Sequence, residues 1–397
     1  MKQTKDEPRK TAGLVVLLIM GGFGVMGGGL LAPALPALME PFGVEQGSVG
    51  LVLGVYTFAA AVSLPFTGLF IDFWGRRFMA ITCLLIDGVF GLLCLWAPTF
   101  SVLLVLRFIQ GIGIAGLIPV AMTVISDWYS GEARLNVMGY LSSAISMSAV
   151  VIPLVGGILA GLSWQYPFMV YGLSLILALL YFIFIDESRP DRQMENLMSE
   201  AKSHIRKLEK ALHLSEVQQV FAHCLVLYFS LYAVVTFLPL LLAHIFSLHG
   251  PEAGIALSVQ GLVAAVVAWQ ATRLKKMTSS RGLLVCGFGL LAAATATIPL
   301  WSNQYLMIVS LILFGLGMGT LQPHVYNSAT TAAPEELTGS IVSLFNTVKF
   351  IGMTLAPVLL GIVHRWWSIA GVFWMVGIIT MLWAARNLLQ KRCTAAD

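Results

Sequence analysis

The sequence predicts an all-α integral membrane protein in which twelve transmembrane helices form two pseudo-symmetric six-helix bundles. Three observations predict this fold: an unusually apolar composition, twelve apolar runs of membrane-spanning length, and an internal repeat relating the first six runs to the last six. Of the 397 residues, 58% are hydrophobic and 11% are charged, whereas a soluble domain has about 25% charged residues. A compact water-soluble fold cannot hide that many apolar side chains.

Each apolar run is close to the roughly 20 residues that a membrane-spanning helix needs. We number the runs as spans 1 to 12, and they cover residues 13–38, 46–70, 78–97, 101–126, 137–161, 166–185, 217–245, 253–272, 282–300, 305–330, 338–363 and 368–385. The first run is too long for a cleavable signal peptide, and nothing soluble follows it, so we expect it to be a span.

The longest polar stretch, residues 186–216, separates the spans into two groups of six. We therefore predict an N-terminal bundle over 1–185, a cytoplasmic linker over 186–216 and a C-terminal bundle over 217–397. Part of the linker places its leucines and isoleucine on one helical stripe among basic residues, a pattern typical of an amphipathic helix on the inner leaflet. A solvated helical linker would show the same pattern.

The basic residues predict the orientation of the chain. All but three of the 23 Lys and Arg fall on the same side as the N-terminus; Arg365 falls on the other side, and Arg107 and Lys349 fall inside spans. Because basic loops stay in the cytoplasm, we predict a multi-pass protein of the inner (plasma) membrane with both termini cytoplasmic. The net charge of +4 follows from this topology, so we expect no nucleic-acid partner, and we expect a monomer.

The five cysteines form neither a CxxC pair nor an extracellular cluster. Such scattered cysteines indicate small apolar packing residues rather than a disulfide framework or a zinc site. We therefore expect no metal and no cofactor.

The internal repeat appears when the chain is shifted by 204 residues against itself. The shift aligns Gly111 with Gly315, Gly113 with Gly317, Pro119 with Pro323, Pro153 with Pro357 and Gly157 with Gly361. Transporters built from such repeats bind their substrates between the repeats, near the bilayer midplane. Several polar intramembrane residues break the repeat, because they align with apolar ones. Since lipid makes such residues costly, they are candidates for function.

Three motifs resemble those of a known family. The loop between spans 2 and 3 matches a G-x-x-x-D-x-x-G-R-[KR] pattern at Gly68, Asp72, Gly75, Arg76 and Arg77. Span 4 resembles an R-x-x-Q-G-x-G pattern at Arg107, Gln110, Gly111 and Gly113. Span 5 resembles an antiporter motif at Gly139, Pro153, Gly156 and Gly157. Together they resemble the major facilitator superfamily, and within it the twelve-span drug–proton exporters.

The resemblance implies a secondary transporter, driven by the proton gradient without a cofactor, whose partners are a small molecule, protons and the bilayer. It also implies a conformational latch at the cytoplasmic ends of the bundles, formed by Gly68, Asp72, Gly75, Arg76, Arg77, Asp127 and Arg134. Glycines suit the tight loop geometry, and Asp72 suits a helix cap paired with Arg76 or Arg77. Alternatively, these charges only fix the topology.

Six polar residues are candidates for the substrate cavity: Arg107, Gln110, Gln322, His324, Asn346 and Lys349. Two unmatched cations in a low-dielectric cavity would favour an anionic or zwitterionic cargo. The alternative for Arg107 is a structural role, with its guanidinium bonded to backbone carbonyls of neighbouring helices. Amides such as Gln110 and Asn346 also commonly tie membrane helices together.

The proton-coupling candidates are Asp87 and His324. Asp87 is the one carboxylate well inside a predicted span, and histidine titrates near neutral pH. For close helix packing, which rocking bundles require, the candidates are Gly111, Gly113, Pro153, Gly156 and Gly157.

The function that the sequence favours is export of a small amphipathic molecule, such as a drug, siderophore or metabolite, by alternating access. An ATP-driven pump is disfavoured because no G-x-x-x-x-G-K-[ST] loop is present, and no loop carries the clustered His and carboxylates of a membrane enzyme. A receptor or scaffold would be expected to lose the loop motif. The alternatives within transport are an organic-anion or sugar importer and a lysophospholipid or glycolipid flippase.

Overall fold

The computed structural model describes residues 3–186, 209, 212–332 and 337–389 of the chain. Within these ranges the ordered elements are all helices, which confirms the predicted fold class. The predicted amphipathic helix of the linker lies almost entirely outside the described residues, so its placement stays a prediction, as do the domain boundaries.

The helices follow the predicted spans closely. Span 1 comprises Gln3–Phe23, Met26–Gly29, Ala32–Ala34 and Leu35–Phe42; span 2, Gln46–Val49 and Leu51–Trp74; span 3, Arg76–Leu93 and Cys94–Trp96; span 4, Phe100–Trp128; span 5, Gly131–Leu162; and span 6, Tyr166–Met169 and Gly172–Phe184. Span 7 is Ser215–Phe246; span 8, Gly250–Trp269; span 9, Ser280–Thr297 and Ile298–Leu300; span 10, Gln304–Thr331; span 11, Thr338–Trp366; and span 12, Ile369–Leu389.

Eleven helices of the described chain are long and apolar enough to cross a bilayer by themselves. The bent pair Lys10–Phe23 and Met26–Phe42, with 51° between its halves, supplies the twelfth crossing. Glycines and prolines cause this bend, because the run from Gly21 to Pro36 contains six glycines and two prolines, and such residues weaken or interrupt the helical hydrogen-bond ladder. The sequence pattern predicted one uninterrupted run here, since all these residues suit an apolar environment.

Span 8 ends three residues before its predicted boundary. Gln270, with φ −93° and ψ 8°, interrupts the helix, and a separate short helix, Ala271–Met277, continues from it. The short helix has the sequence ATRLKKM, which is too basic to continue into the bilayer core.

Side-chain caps define several helix starts. The Thr99 hydroxyl accepts a hydrogen bond from the Val102 amide at the start of span 4 (3.3 Å). Ser279 does the same for Gly282 at the start of span 9 (3.1 Å). Each cap satisfies an amide that has no partner inside its own helix.

Consecutive spans alternate in direction, so the loops lie on two opposite faces. We call the face at which span 1 begins and span 12 ends the terminal face, and the opposite one the distal face. Large apolar side chains are exposed over much of the helical surface, including Phe58, Val105, Leu179, Ile312 and Leu382. Such a surface suits lipid as its solvent and not water.

The internal repeat is a repeat of contacts. In the N-terminal half, Gly111 of span 4 lies against the backbone oxygen of Tyr56 in span 2. In the C-terminal half, Gly315 of span 10 lies against the backbone oxygen of Gln260 in span 8, where a Cβ on Gly315 would be 2.7 Å away. Gln260 is 204 residues after Tyr56, as Gly315 is after Gly111. The aligned glycines therefore allow the same close helix crossing in both bundles.

Candidate functional site

The two bundles touch closely in the distal half of the membrane. Span 5 meets span 8 at a glycine contact in which a Cβ on Gly157 would lie 2.9 Å from the Gly254 Cα. The Ser258 hydroxyl donates a hydrogen bond to the Val150 backbone oxygen across the same interface (2.6 Å). Because the glycines let the backbones approach directly, this side of the molecule is closed.

Spans 2 and 11 form the second distal contact, in the position that the repeat relates to the first. Gly361 lies against the backbone oxygen of Gly47, and the Thr57 and Thr354 hydroxyls are hydrogen-bonded (3.0 Å). At the distal end, the Arg365 guanidinium donates to the Ser48 hydroxyl (3.1 Å). Both pairs of helices that cross between the bundles are thus packed together on the distal side.

A cavity of about 320 Å³ lies between the bundles on the terminal side of these contacts. Its walls come from spans 1, 2 and 4 of the N-terminal half and span 11 of the C-terminal half. Apolar side chains dominate the wall and include Leu64, Ile71, Ile114, Ile118, Met122 and Phe350. At Ile71 and Val342 the cavity comes within about one helical turn of the terminal-face ends of spans 2 and 11. Its size is within the usual range for small-molecule sites, about 300–1,000 Å³.

Among the described residues, Lys349 is the single cation in the wall of this central cavity. Its ammonium lies 5.2 Å from the Tyr228 ring centroid and 5.7 Å from that of Phe350. No described residue forms a hydrogen bond or an ion pair with it. Within the described part of the chain this positive charge is therefore not neutralised; it faces two aromatic rings in a mainly apolar wall.

The other predicted cavity residues separate into three groups. Asn346 lines the central cavity beside Lys349, and its amide donates to the Val342 backbone oxygen (3.0 Å). His324 lines a different cavity at the terminal face, and half-buried Gln322 lines neither cavity. Arg107 and Gln110 are completely buried inside the N-terminal bundle, away from the central cavity.

The Arg107 side chain donates hydrogen bonds to four residues of the N-terminal bundle. Its guanidinium donates to the backbone oxygens of Gly27 (2.9 Å) and Val52 (3.3 Å). It also donates to the Gln110 side chain (2.6 Å) and the Tyr171 hydroxyl (3.2 Å). These contacts join spans 1, 2, 4 and 6, which is the structural alternative considered for Arg107 from the sequence.

Asp87 joins the same cluster through Gln110. The Gln110 amide donates to one Asp87 carboxylate oxygen (2.9 Å), and the Ser174 hydroxyl donates to the other (2.6 Å). Arg107 and Asp87 are therefore linked through an amide and form no direct salt bridge. We call Asp87, Arg107, Gln110, Tyr171 and Ser174 the buried polar network.

The network exists in only one half of the repeat. The positions 204 residues after Asp87, Arg107 and Gln110 are Leu291, Leu311 and Phe314, all buried in the apolar core of the C-terminal bundle. The fold itself therefore needs no polar network at this place, since the second bundle packs without one.

The loop between spans 2 and 3 turns at Gly75. This residue has φ 90° and ψ 160°, a conformation that side chains disfavour and glycine adopts readily. Gly68, in contrast, lies within the helix of span 2, lines the central cavity and has no close neighbour. The tight geometry expected of both glycines is therefore present at Gly75 alone.

Arg76 and Arg77 of this loop contact other residues of the N-terminal bundle. The Arg76 Nε lies 3.1 Å from an Asp127 carboxylate oxygen, and the Arg77 guanidinium contacts the Phe182 backbone oxygen and lies 4.2 Å from the Phe182 ring centroid. Arg134 is exposed, and its guanidinium forms no hydrogen bond or ion pair with another described residue. The side chain of Asp72 is outside the described part of the structure, so its predicted pairing stays a prediction.

Comparison with known proteins identifies the family. The sequence model of the Major Facilitator Superfamily matches residues 17–357 and 224–392. The chain belongs to the major facilitator superfamily. This confirms the resemblance drawn from the three motifs, and with it the expectation of a transporter rather than an enzyme.

Two curated bacterial proteins in this superfamily are similar over most of their length. The bacillibactin exporter of Bacillus subtilis (strain 168) is 26% identical over 84% of this chain and 85% of its own. Multidrug resistance protein 2 of the same organism is 25% identical over 98% of both chains. Among solved structures, a bacterial homologue of the human lysosomal transporter Spinster, inward-facing and unoccupied, superposes with a TM-score of 0.79 at 17% identity, covering 96% of this chain and 95% of that chain.

A superfamily transporter carries a small molecule, and the central cavity is the candidate place for it. Within the described residues, no group of three or more His, Cys, Asp or Glu side chains is arranged to hold a metal ion.

Three residues that contact the predicted site residues carry no signal in the sequence. Tyr171 and Ser174 reach the buried polar network from span 6, and Tyr228 reaches Lys349 from span 7. Hydroxyls and aromatic rings are common in apolar helices, and these three are 64 residues or more from their partners in the chain. Their roles depend on which helices pack together.

Proposed function

We propose that this transporter exports a small amphipathic molecule with an anionic or zwitterionic group, in exchange for protons, across the plasma membrane. The observation that carries the proposal is the Lys349 ammonium, which no described residue pairs, in the mainly apolar wall of the central cavity. An acidic group on the cargo would pair with Lys349 while its apolar part lies along spans 2 and 4. Such a pair gains strength from the low dielectric of the cavity.

The orientation proposed from the basic loops makes the terminal face cytoplasmic. With the distal contacts closed, the central cavity would then receive cargo from the cytoplasm. Export would follow when the distal contacts separate and the terminal ends of the bundles close, with the loop residues Asp72, Arg76, Arg77, Asp127 and Arg134 acting as the latch. The two similar Bacillus proteins, named as an exporter and a multidrug resistance protein, support this direction.

We propose Asp87 as the proton-coupling residue. Its carboxylate accepts one hydrogen bond from Gln110 and one from Ser174. A proton on either carboxylate oxygen would turn that oxygen into a donor and disrupt its bond to Gln110 or Ser174. Gln110 in turn accepts from Arg107, whose guanidinium binds the backbone of Gly27 at the bend of span 1. A change at Asp87 would therefore reach a helix that lies beside the other bundle. His324 is the weaker candidate because it lies away from this chain of contacts.

Purified protein in liposomes tests the transport proposal. A pH gradient of either sign is imposed, and the fluxes of protons and of anionic, zwitterionic, neutral and cationic amphiphiles are recorded. The proposal requires cargo efflux from the side of the terminal face to be coupled to proton movement in the opposite direction. Cargo movement that ignores the pH gradient would contradict proton exchange, and uptake with protons in the same direction would indicate an importer.

Replacing Lys349 with Met is expected to lower transport of anionic cargo by about tenfold or more, because loss of one member of a buried charge pair costs at least about 2 kcal/mol. Transport of a neutral amphiphile of similar size should change by less than about threefold, since the apolar wall is intact. The measurement is initial flux in liposomes for both cargoes.

Lys349→Arg is the matched control, because it keeps the charge in the cavity. It should retain more anion transport than Lys349→Met. Equal losses for anionic and neutral cargo in Lys349→Met would show that the ammonium does not recognise charge.

Replacing Asp87 with Asn is expected to uncouple cargo from protons. The amide has a similar shape but cannot take up and release a proton, so the pH gradient should no longer drive net transport. Exchange of labelled for unlabelled cargo without a gradient should continue, because the central cavity is unchanged. Gradient-driven transport at the wild-type rate would assign coupling to another residue.

A further inference from the structure

A second cavity, of about 330 Å³, lies at the terminal face of the C-terminal bundle. It is enclosed by the short helix Ala271–Met277, span 9 and span 10. Polar side chains form much of its wall, and they are Thr272, Lys275, Thr320, His324 and Asn327. We call this cavity the basic pocket.

The charge of the basic pocket is not neutralised by the described part of the chain. Lys275 forms no ion pair and the His324 ring forms no hydrogen bond with a described residue, and no described carboxylate lines the pocket. Arg273 and Lys276 are exposed on the same short helix and add to the positive potential. The pocket therefore offers an ammonium and several neutral hydrogen-bonding groups to an anion.

The repeat shows which part of this pocket belongs to the general fold. Five of its lining positions are 204 residues after five lining positions of the central cavity, and the pairs are Thr67 and Ala271, Gly68 and Thr272, Ile71 and Lys275, Pro119 and Pro323, and Thr123 and Asn327. Equivalent positions of the two bundles thus each line a cavity, which we call the hollow of that bundle. The hollow is uncharged at these positions in the N-terminal half, whereas Lys275 gives it a cation in the C-terminal half.

Neighbouring side chains place the basic pocket at the level of lipid headgroups. Trp269, at the end of span 8, has 89% of its surface exposed, and Met277, at the end of the short helix, has 81% exposed. Exposed tryptophan is typical of the membrane interface, where its ring is partly in lipid and partly in water. Trp269 precedes the short helix that carries Lys275, and Met277 ends that helix, so we expect the pocket beside it to lie at the depth of the headgroups and the first acyl carbons.

We propose that the basic pocket binds the phosphate headgroup of an anionic phospholipid from the leaflet at the terminal face. The Lys275 ammonium would pair with the phosphate, and the His324 ring and Asn327 amide would donate hydrogen bonds to it. Leu274, Leu283 and Pro323 would contact the glycerol and upper acyl carbons. Free phosphate shares the headgroup chemistry, but it would leave these apolar residues without a partner. The proposal does not depend on the cargo of the central cavity.

The test uses the full-length protein in a neutral detergent. Dioctanoyl-phosphatidylglycerol, dioctanoyl-phosphatidylcholine and inorganic phosphate are titrated separately, and retained molecules are counted by native mass spectrometry. We expect the wild-type protein to retain phosphatidylglycerol in preference to phosphatidylcholine. Lys275→Gln should lower the phosphatidylglycerol affinity by about tenfold, as expected for loss of a charge-assisted hydrogen bond, and His324→Gln should lower it less.

Lys276→Gln is the matched control, because it removes the same charge one residue further along the helix and outside the pocket wall. It should change the affinity by less than about threefold, because Lys276 does not line the pocket. Unchanged melting temperatures of the variants exclude misfolding as the cause. Equal effects of Lys275→Gln and Lys276→Gln would reduce the site to a general basic surface. Displacement of the lipid by an equal concentration of inorganic phosphate, or no retained phosphatidylglycerol, would overturn the lipid assignment.

Discussion

Replacing Arg107 with Met is expected to destabilise the protein by about 3–5 kcal/mol and to abolish transport. The guanidinium donates to Gly27, Val52, Gln110 and Tyr171, and methionine removes one buried hydrogen bond from each of these four groups. Breaking a buried ionic network by removing one member costs about this much, because the remaining polar groups lose their compensation. Thermal unfolding in detergent and flux in liposomes measure the two effects.

The C-terminal bundle suggests the decisive control. It packs Leu291, Leu311 and Phe314 at the equivalent positions, so an apolar core works in this fold. The triple variant Asp87→Leu, Arg107→Met and Gln110→Leu should therefore recover stability to within about 1–2 kcal/mol of the wild type, as apolar replacement of a whole buried network often does.

Transport separates the structural role of the network from its proposed functional role. If the network couples protons to movement, the stable triple variant should still fail to use a pH gradient. A triple variant as unstable as Arg107→Met would contradict the view that the network is dispensable for folding. A stable triple variant with normal proton-driven transport would remove the network, including Asp87, from the coupling mechanism.

Replacing Gly157 with Ala is expected to disfavour closure of the distal side. The added methyl group would lie 2.9 Å from the Gly254 Cα and closer still to the Gly250 backbone oxygen, and backbone atoms cannot move aside as a flexible side chain can. Overpacking of this kind costs about 1–3 kcal/mol, roughly one to two factors of ten in the balance between the closed and open distal states. Transport should fall by a similar factor because alternating access needs both states.

Spin labels at Ser163→Cys and His249→Cys, in a background without the native cysteines, report the distance between the distal ends of spans 5 and 8. We expect a longer mean distance in Gly157→Ala. Gly139→Ala is the matched control on span 5, because no atom lies within 4 Å of a Cβ placed there. A distance distribution equal to that of the control would show that the glycine contact does not determine distal closure.

The sequence by itself determined the fold class, the number of spans and the family. The spans follow from apolar length, which decides which segments enter lipid. The two related bundles follow from the repeat at 204 residues, and the family follows from the three short motifs. The need for glycine at position 75 was also readable, because a tight turn between two spans calls for a conformation that glycine adopts.

Only the tertiary structure decided what the polar intramembrane residues contact. Span 4 is apolar on all sides, so no pattern tells which way Arg107 points, and its partners come from residues up to 80 positions away. The Lys349 side chain in span 11 lines the central cavity instead, because the bundles separate on the terminal side. Two cations with the same local sequence character thus have different environments, because helix packing between distant segments sets the surroundings of a side chain and local composition does not.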